Sequence, residues 1–278
     1  GRSIKPYVQI VKVIITFAGI LIMISIVFRV SLTSVFAGLG VATAVLAVVF
    51  KDTILGLVAS VQLSTNNMVK LGDWITIPGR NIDGTVVDMT LYTVKVENFD
   101  KTILTVPTWA LISESFQNWK GMEDSGVRRI KREIRIDVRS ISFVTPGLIE
   151  AVSGRPHMEK WLDENREEIE AVKRGGITSL TNLGAFRAYM VDYLRNHPHI
   201  DTMMPVMMRD MPPTETGMPV EIYCFSKINS WVPFESVQSS VVDYAYAVVT
   251  QFGLKLFQSP SGSDLEGFRS MTNQNHKI

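Results

Sequence analysis

The start of the chain is almost wholly apolar, and the rest alternates. Residues 7–28, YVQIVKVIITFAGILIMISIVF, and 31–50, SLTSVFAGLGVATAVLAVVF, are apolar runs separated by Arg29 and Val30. Each is close to the roughly 20 residues that a helix needs to cross a hydrocarbon core at ~1.5 Å per residue. Gln9 and Lys12 lie near the start of the first run, where a long side chain reaches the interface. That run is too long for a cleaved signal peptide, and no small-x-small site followed by soluble sequence is present. The pattern predicts two spanning helices joined by a turn at Val30–Thr33.

The second run carries small residues, among them Gly38, Gly40, Ala42 and Ala44, which let helix backbones approach closely in lipid. At helical spacing Leu39, Thr43, Leu46 and Phe50 share a stripe, with Ala47 beside it. A ring of such helices would line an apolar pore, which gates by dewetting. An ordinary lipid-facing anchor is the alternative, but anchors are bulky all round. Gly38-Leu39-Gly40 begins like a phosphate-binding loop, yet Thr43 stands where the third glycine belongs and no strand precedes it.

Lys51 and Asp52 end the apolar run. A charged pair suits a kink better than a continuous membrane helix. Asp52 is expected to cap a second, interfacial helix over residues 53–69, where polar residues increase toward the end.

From residue 73 the period falls to two. DWITI, GTVVDM, YTVKVEN and TILTVP read as strands, separated by Pro78-Gly79-Arg80, Asp83-Gly84 and Asn98-Phe99-Asp100-Lys101. They make an all-β module compatible with a five-stranded barrel-like sheet. Residues 128–139 form a strand with Ile130, Ile134, Ile136 and Val138 on one face and Arg129, Arg135, Asp137 and Arg139 on the other. Then come a short helix over 146–152, an exposed salt-bridged helix over 156–173 and a strand over 176–182. A helix over 186–197 is stopped by Pro198. A strand over 218–226 and an amphipathic helix over 233–252, with Val237, Val241, Tyr244, Ala245 and Val248 inward, complete the pattern. Residues 258–278 are polar and read as a mobile tail.

The 278 residues carry a formal net charge of +1, which does not point to nucleic acid. The basic strand at 128–139 suits a wet face or an anionic lipid surface better. One cysteine, Cys224, excludes an intrachain disulfide framework and reads as a core residue. No catalytic constellation is found, so an enzyme is not expected, and no cofactor is implied. Glu164, Glu167, Glu168 and Glu170 fit a solvated helix face, and His197 and His199 lack a third ligand at recognisable spacing, so no metal is expected either. Arg2, Lys5 and Lys12 precede the first span, Lys51, Lys70 and Arg80 follow the second, and only Arg29 lies between. The positive-inside rule places both ends in the cytoplasm.

This order of parts resembles the MscS-type mechanosensitive channels. The family's run of conserved types is matched by Gly72, Asp73, Ile75, Gly84, Val86, Thr93, Asp100, Val106, Pro107, Ile112 and Asn118. Departures are Lys101 after Asp100, Thr108 after Pro107, and Lys51 at the kink, where the founding member has glycine. These features look like the miniconductance, YbdG-like branch. The resemblance implies a ring-forming homoheptamer in a bacterial inner membrane, with membrane lipids and permeating ions and small solutes as its partners. It also implies an Sm-like β-module, a cytoplasmic vestibule and further membrane helices before residue 1. The family's two pore-sealing leucines align near Thr43 and Ala47, which leaves Leu46 or Phe50 for that role.

The expected organisation is a membrane α-helical region followed by a cytoplasmic β-module and an α/β domain. Residues 1–30 hold the first spanning helix, and 31–70 the pore-lining helix with its kink at Lys51–Asp52 and the interfacial helix. The β-domain covers 71–120, the α/β domain 121–257 with an insertion at about 155–215, and the tail 258–278. The expected function is a tension-opened ion channel. The alternative is a membrane-anchored ligand-binding or signalling protein without a pore.

Overall fold

Two long helices open the chain in this computed structural model, which describes residues 5–260 and 262. Helix α1 spans Lys5–Phe28 and α2 spans Leu32–Thr65. The turn between them is held by Arg29 at φ 54° and by the Val30 amide, which donates to the Ser25 carbonyl at 3.1 Å. The Ser31 hydroxyl caps α2 by accepting from the Ser34 amide at 3.2 Å. Both helices are long and apolar enough to cross a membrane. Among the described residues of α1 only Leu21 is buried, and no residue from Leu32 to Leu55 is buried.

The expected second helix with Asp52 as its cap is corrected: α2 runs unbroken through Lys51 and Asp52 to Thr65. No proline interrupts this stretch, so the hydrogen-bond ladder has no reason to break, and the long Lys51 side chain is carried on the exposed helix surface. The helix stops at Asn66, and Asn67 enters the left-handed region at φ 51°.

The chain divides into two units, Gly1–Lys120 and Gly121–Ile278. In the first, an antiparallel sheet follows α2. Its strands are β1 (Trp74–Ile77), β2 (Ile82–Met89), β3 (Thr93–Asn98), β4 (Ile103–Pro107) and β5 (Gln117–Asn118), in the order β4-β3-β2-β1-β5. Helix α3 (Thr108–Ser113) lies between β4 and β5. Alternation puts Ile75, Ile82, Val86, Val94, Val96 and Val106 in one core, closed by Ala110 and Leu111 of α3 and by Leu63 of α2. Gly84 is required by a close backbone approach: a Cβ there would lie 2.1 Å from the Glu97 carbonyl oxygen on β3. At the β3–β4 turn Lys101 adopts φ 70°, and Asp100 accepts from the Thr102 amide at 3.0 Å.

The second unit contains α4 (Lys120–Ser125), β6 (Arg128–Ile136), α5 (Pro146–Val152), α6 (Glu159–Glu164), α7 (Arg166–Lys173), α8 (Asn182–Asn196), β7 (Met207–Asp210), β8 (Met218–Ser226) and α9 (Trp231–Val249). Its sheet is antiparallel in the order β6-β8-β7. Ile130, Ile134, Val220, Ile222 and Cys224 pack with Phe186, Met190 and Leu194 of α8 and with Val241 and Ala245 of α9.

Four expectations for this unit change. The 156–173 helix is two helices, α6 and α7, with Asn165 between them, because burying Met158 as well as Ile169 and Val172 requires a change of direction. Residues 176–182 form no strand; Thr181 makes one bridge to Phe143 and caps α8, which begins four residues earlier than its apolar spacing suggests. Val138 turns outward in a short 3-10 segment, 48% exposed. The short strand β7 has no counterpart in the sequence pattern. Residues 158–208 supply Met158, Phe186, Tyr189, Met190, Leu194 and Met208 to the core, so the 155–215 segment is built into the domain. The expected tail lies outside the described residues from 263 onward.

Candidate functional site

Because α2 is one regular helix, its side-chain positions follow from its period. Leu39, Thr43, Leu46 and Phe50 fall in one narrow stripe, with Ala47 at its border. Gly38 and Ala42 lie on one flank of the stripe, and Gly40 and Ala44 on the other. A Cβ added at Gly38 or Gly40 would meet nothing within 4 Å. Leu39, Leu46 and Phe50 are 42–56% exposed. One copy of the chain therefore offers an apolar stripe between two smooth flanks and covers neither with its own residues.

The last third of α2 is different. Gly56, Ala59 and Leu63 are buried, on the side that meets α3. A Cβ on Gly56 would stand 3.0 Å from the Tyr92 ring, so the helix approaches the β2–β3 turn closely there. The fully buried Thr108 donates its hydroxyl to the Gly56 carbonyl at 3.1 Å, and the Leu91 carbonyl lies 3.3 Å away.

A second fastening lies just beyond the helix. The buried Asp73 carboxylate accepts from the Lys70 amide at 2.9 Å and from Asn118 Nδ2 at 2.8 Å. Asn118 Nδ2 also donates to the Met68 carbonyl at 3.0 Å. Gly72, at φ 89°, donates its amide to Val86. The motif residues Gly72, Asp73, Val86 and Asn118 thus act together to fix the link between α2 and the sheet.

Of the residues singled out from sequence, Leu39, Thr43, Leu46, Ala47 and Phe50 share the stripe, and Lys51 and Asp52 lie on the exposed helix below it. The structure brings none of these to a common pocket. Sequence reasoning missed Gly56, Tyr92 and Thr108. The available signal was the pair of small residues Gly56 and Ala59, three apart on a helix that otherwise becomes more polar.

The polar residues singled out in the second unit lie in distinct local settings. Glu168 is held below its ordinary value by hydrogen bonds from the Ser179 amide, Thr178 and Ser179. His197 is pushed down by burial and by His199, and among the described residues no group of three or more His, Cys, Asp or Glu is placed to hold a metal. Burial pushes the Cys224 thiol up to about 12, so it is a protonated core residue.

Residues 52–121 match the family model described as the mechanosensitive ion channel β-domain. The chain is 24% identical over 240 residues to an uncharacterized MscS family protein of Helicobacter pylori (strain J99), covering 84% of this chain and 35% of that one. It is 24% identical over 214 residues to the low conductance mechanosensitive channel YnaI of Escherichia coli (strain K12), covering 77% of this chain and 50% of that one. It thus spans a third to a half of the length of these relatives. The crystal structure of Helicobacter pylori MscS in its closed state superposes with a TM-score of 0.54 at 15% identity, covering 91% of this chain and 81% of that one, which shows a shared fold. A matched β-domain, relatives that extend over both units and a common fold make this chain similar to proteins of the MscS family.

Proposed function

We propose that this chain forms the pore and cytoplasmic portion of a mechanosensitive ion channel of a bacterial inner membrane. The observation that carries this reading is α2 itself. It is uncovered along its membrane half, with an apolar stripe between two small-residue flanks, and fastened to the β-domain at its other end. A helix with two different smooth flanks meets a neighbour on each side, which is the head-to-tail contact that closes a ring. The ring is a homoheptamer, as the family resemblance suggests. Leu39, Leu46 and Phe50 line the pore with Thr43 and Ala47, and Leu46 and Phe50 form its apolar constriction. Lys51 and Asp52 mark where α2 leaves the membrane. The β-module has the Sm-like form and the chain belongs to the YbdG-like branch. The soluble units lie in the cytoplasm, where ions and small solutes reach the pore through the vestibule.

Tension favours the state with the larger in-plane area, and the bias is tension multiplied by the area difference. Moving a two-state equilibrium from 1:99 to 99:1 takes about 5.5 kcal/mol, which lipid tension on the α1 and α2 surfaces must supply. Opening tilts or slides α2 along its small-residue flanks while the Gly56–Thr108 contact keeps its lower end in place.

The test is suction on an excised patch of liposomes that contain the full-length protein. Stepwise currents that arise only under tension are expected. An assembled ring that stays silent up to membrane rupture, or a chain that remains monomeric, would favour the membrane-anchored signalling role.

A further inference from the structure

Helix α8 presents two unlike faces. Phe186, Met190 and Leu194 are in the core. The opposite stripe runs Gly184, Arg187, Ala188, Val191, Asp192 and Arg195, with the i, i+3, i+4, i+7 spacing of one helical face. Against it stand Lys160 and Trp161 of α6, and the space between the two helices is a groove of about 320 Å³. That volume is at the lower end of small-molecule sites.

Lys160, Arg187 and Arg195 line this groove against Glu164 and Asp192, a formal excess of one positive charge. Asp192 already accepts from Asn196 Nδ2 at 3.0 Å and lies 2.9 Å from His157 Nδ1, and Glu164 lies 3.7 Å from Lys160. Its acids are therefore engaged. Arg187 reaches Asp210 at 3.0 Å through Nη1, but its Nε is shielded from solvent and has no hydrogen-bond partner among the described residues. Arg195 makes no ion pair among the described residues. Buried donors without acceptors are rare in folded proteins. Between the two arginines the floor is Ala188 and Val191, beside the Trp161 ring.

We propose that this groove binds a small organic anion, a carboxylate or phosphate whose charge meets Arg195 and Arg187 and whose apolar body lies on Ala188, Val191 and Trp161. Planar guanidinium groups are the side chains best suited to such oxygens. A floor without charge selects against bare inorganic anions. The site lies wholly within the second unit and does not depend on the channel reading.

Phenyl phosphate and inorganic phosphate serve as probes in calorimetric titrations of the full chain in detergent, at constant ionic strength. Phenyl phosphate is expected to bind saturably, one per chain, and more tightly than inorganic phosphate. Arg195→Gln should weaken phenyl phosphate by about tenfold, as loss of a charge-assisted contact does. Ala188→Leu, which fills the floor, should weaken phenyl phosphate more than inorganic phosphate. No saturable binding of phenyl phosphate at concentrations up to about 1 mM, or binding unchanged by both substitutions, would overturn the proposal.

Discussion

The Thr108 hydroxyl donates to the Gly56 carbonyl at 3.1 Å, joining the start of α3 to the last third of α2 across 52 residues of sequence. Thr108 is fully buried, so the bond is shielded from water and its loss is not made good by solvent. It lies where the long helix α2 meets the sheet of the first unit, and in the proposed channel a movement of α2 passes through this point.

Replacing Thr108 with Val keeps the volume and removes the donor. The expected cost is about 1 kcal/mol of stability, seen as a lower thermal midpoint of the purified protein. A changed tension threshold in patch recordings is expected with it. Thr108→Ser, which keeps the hydroxyl, should retain most of both properties; equal behaviour of the two variants would remove the bond from the coupling.

Asp73 and Asn118 act as a pair. Asp73→Ala leaves the Lys70 amide and Asn118 Nδ2 without their shared acceptor. A loss of about 2 kcal/mol is expected. Asn118→Ala should cost less, and the double variant less than the sum, because both substitutions remove one contact. Strict additivity in denaturant titrations would show that the two act separately.

Gly84→Ala would place a methyl group 2.1 Å from the Glu97 carbonyl oxygen. Backbone cannot yield there without separating β2 from β3. A loss of about 3 kcal/mol is expected from overpacking, with poor recovery of folded protein. Gly79→Ala, where a Cβ meets nothing within 4 Å, is the matched control and should behave as the wild type.

Leu46→Ser and Phe50→Ser test the pore stripe. Each puts a hydroxyl where the proposed constriction must stay dry, so each should ease wetting, lower the tension needed for opening and slow the growth of cells that express it. If neither changed conductance or threshold, the stripe would not line the pore.

Cys224 gives a pH dependence with a definite sign. Its thiol has an ordinary value of 9.0, and burial in the fold, which penalises the thiolate, pushes it up to about 12. The folded state therefore keeps a proton that the unfolded state releases. The corresponding stability is fully present below pH 9 and is lost as pH rises from there toward 12. A thiol reagent at pH 8 should leave Cys224 unlabelled in the native protein and label it after denaturation. Labelling at equal rates in both states would place the thiol at the surface.

Much of the architecture was legible because it rests on local periods. The apolar runs marked both long helices, and alternation marked β1 to β4, β6 and β8. Thr145 and Ser31 cap their helices through their hydroxyl groups. Local preference misled where long-range contacts overrule it. Charged residues at 51–52 suggested a new helix, yet the hydrogen-bond ladder continues because nothing there obstructs it. Residues 176–182 have strand-like composition but no neighbouring strand to pair with beyond one bridge to Phe143.

The stripe of Leu39, Thr43, Leu46 and Phe50 was determined by sequence alone, since a helix of known period needs no partner to place its own side chains on one face. The fastening of that helix was not. Gly56, Thr108, Asp73 and Asn118 are far apart in the chain, and only the folded sheet brings a small residue, a hydroxyl, a carboxylate and an amide within hydrogen-bonding distance. Periodicity acts over a few residues, whereas complementarity between distant groups exists only after the backbone has closed around them.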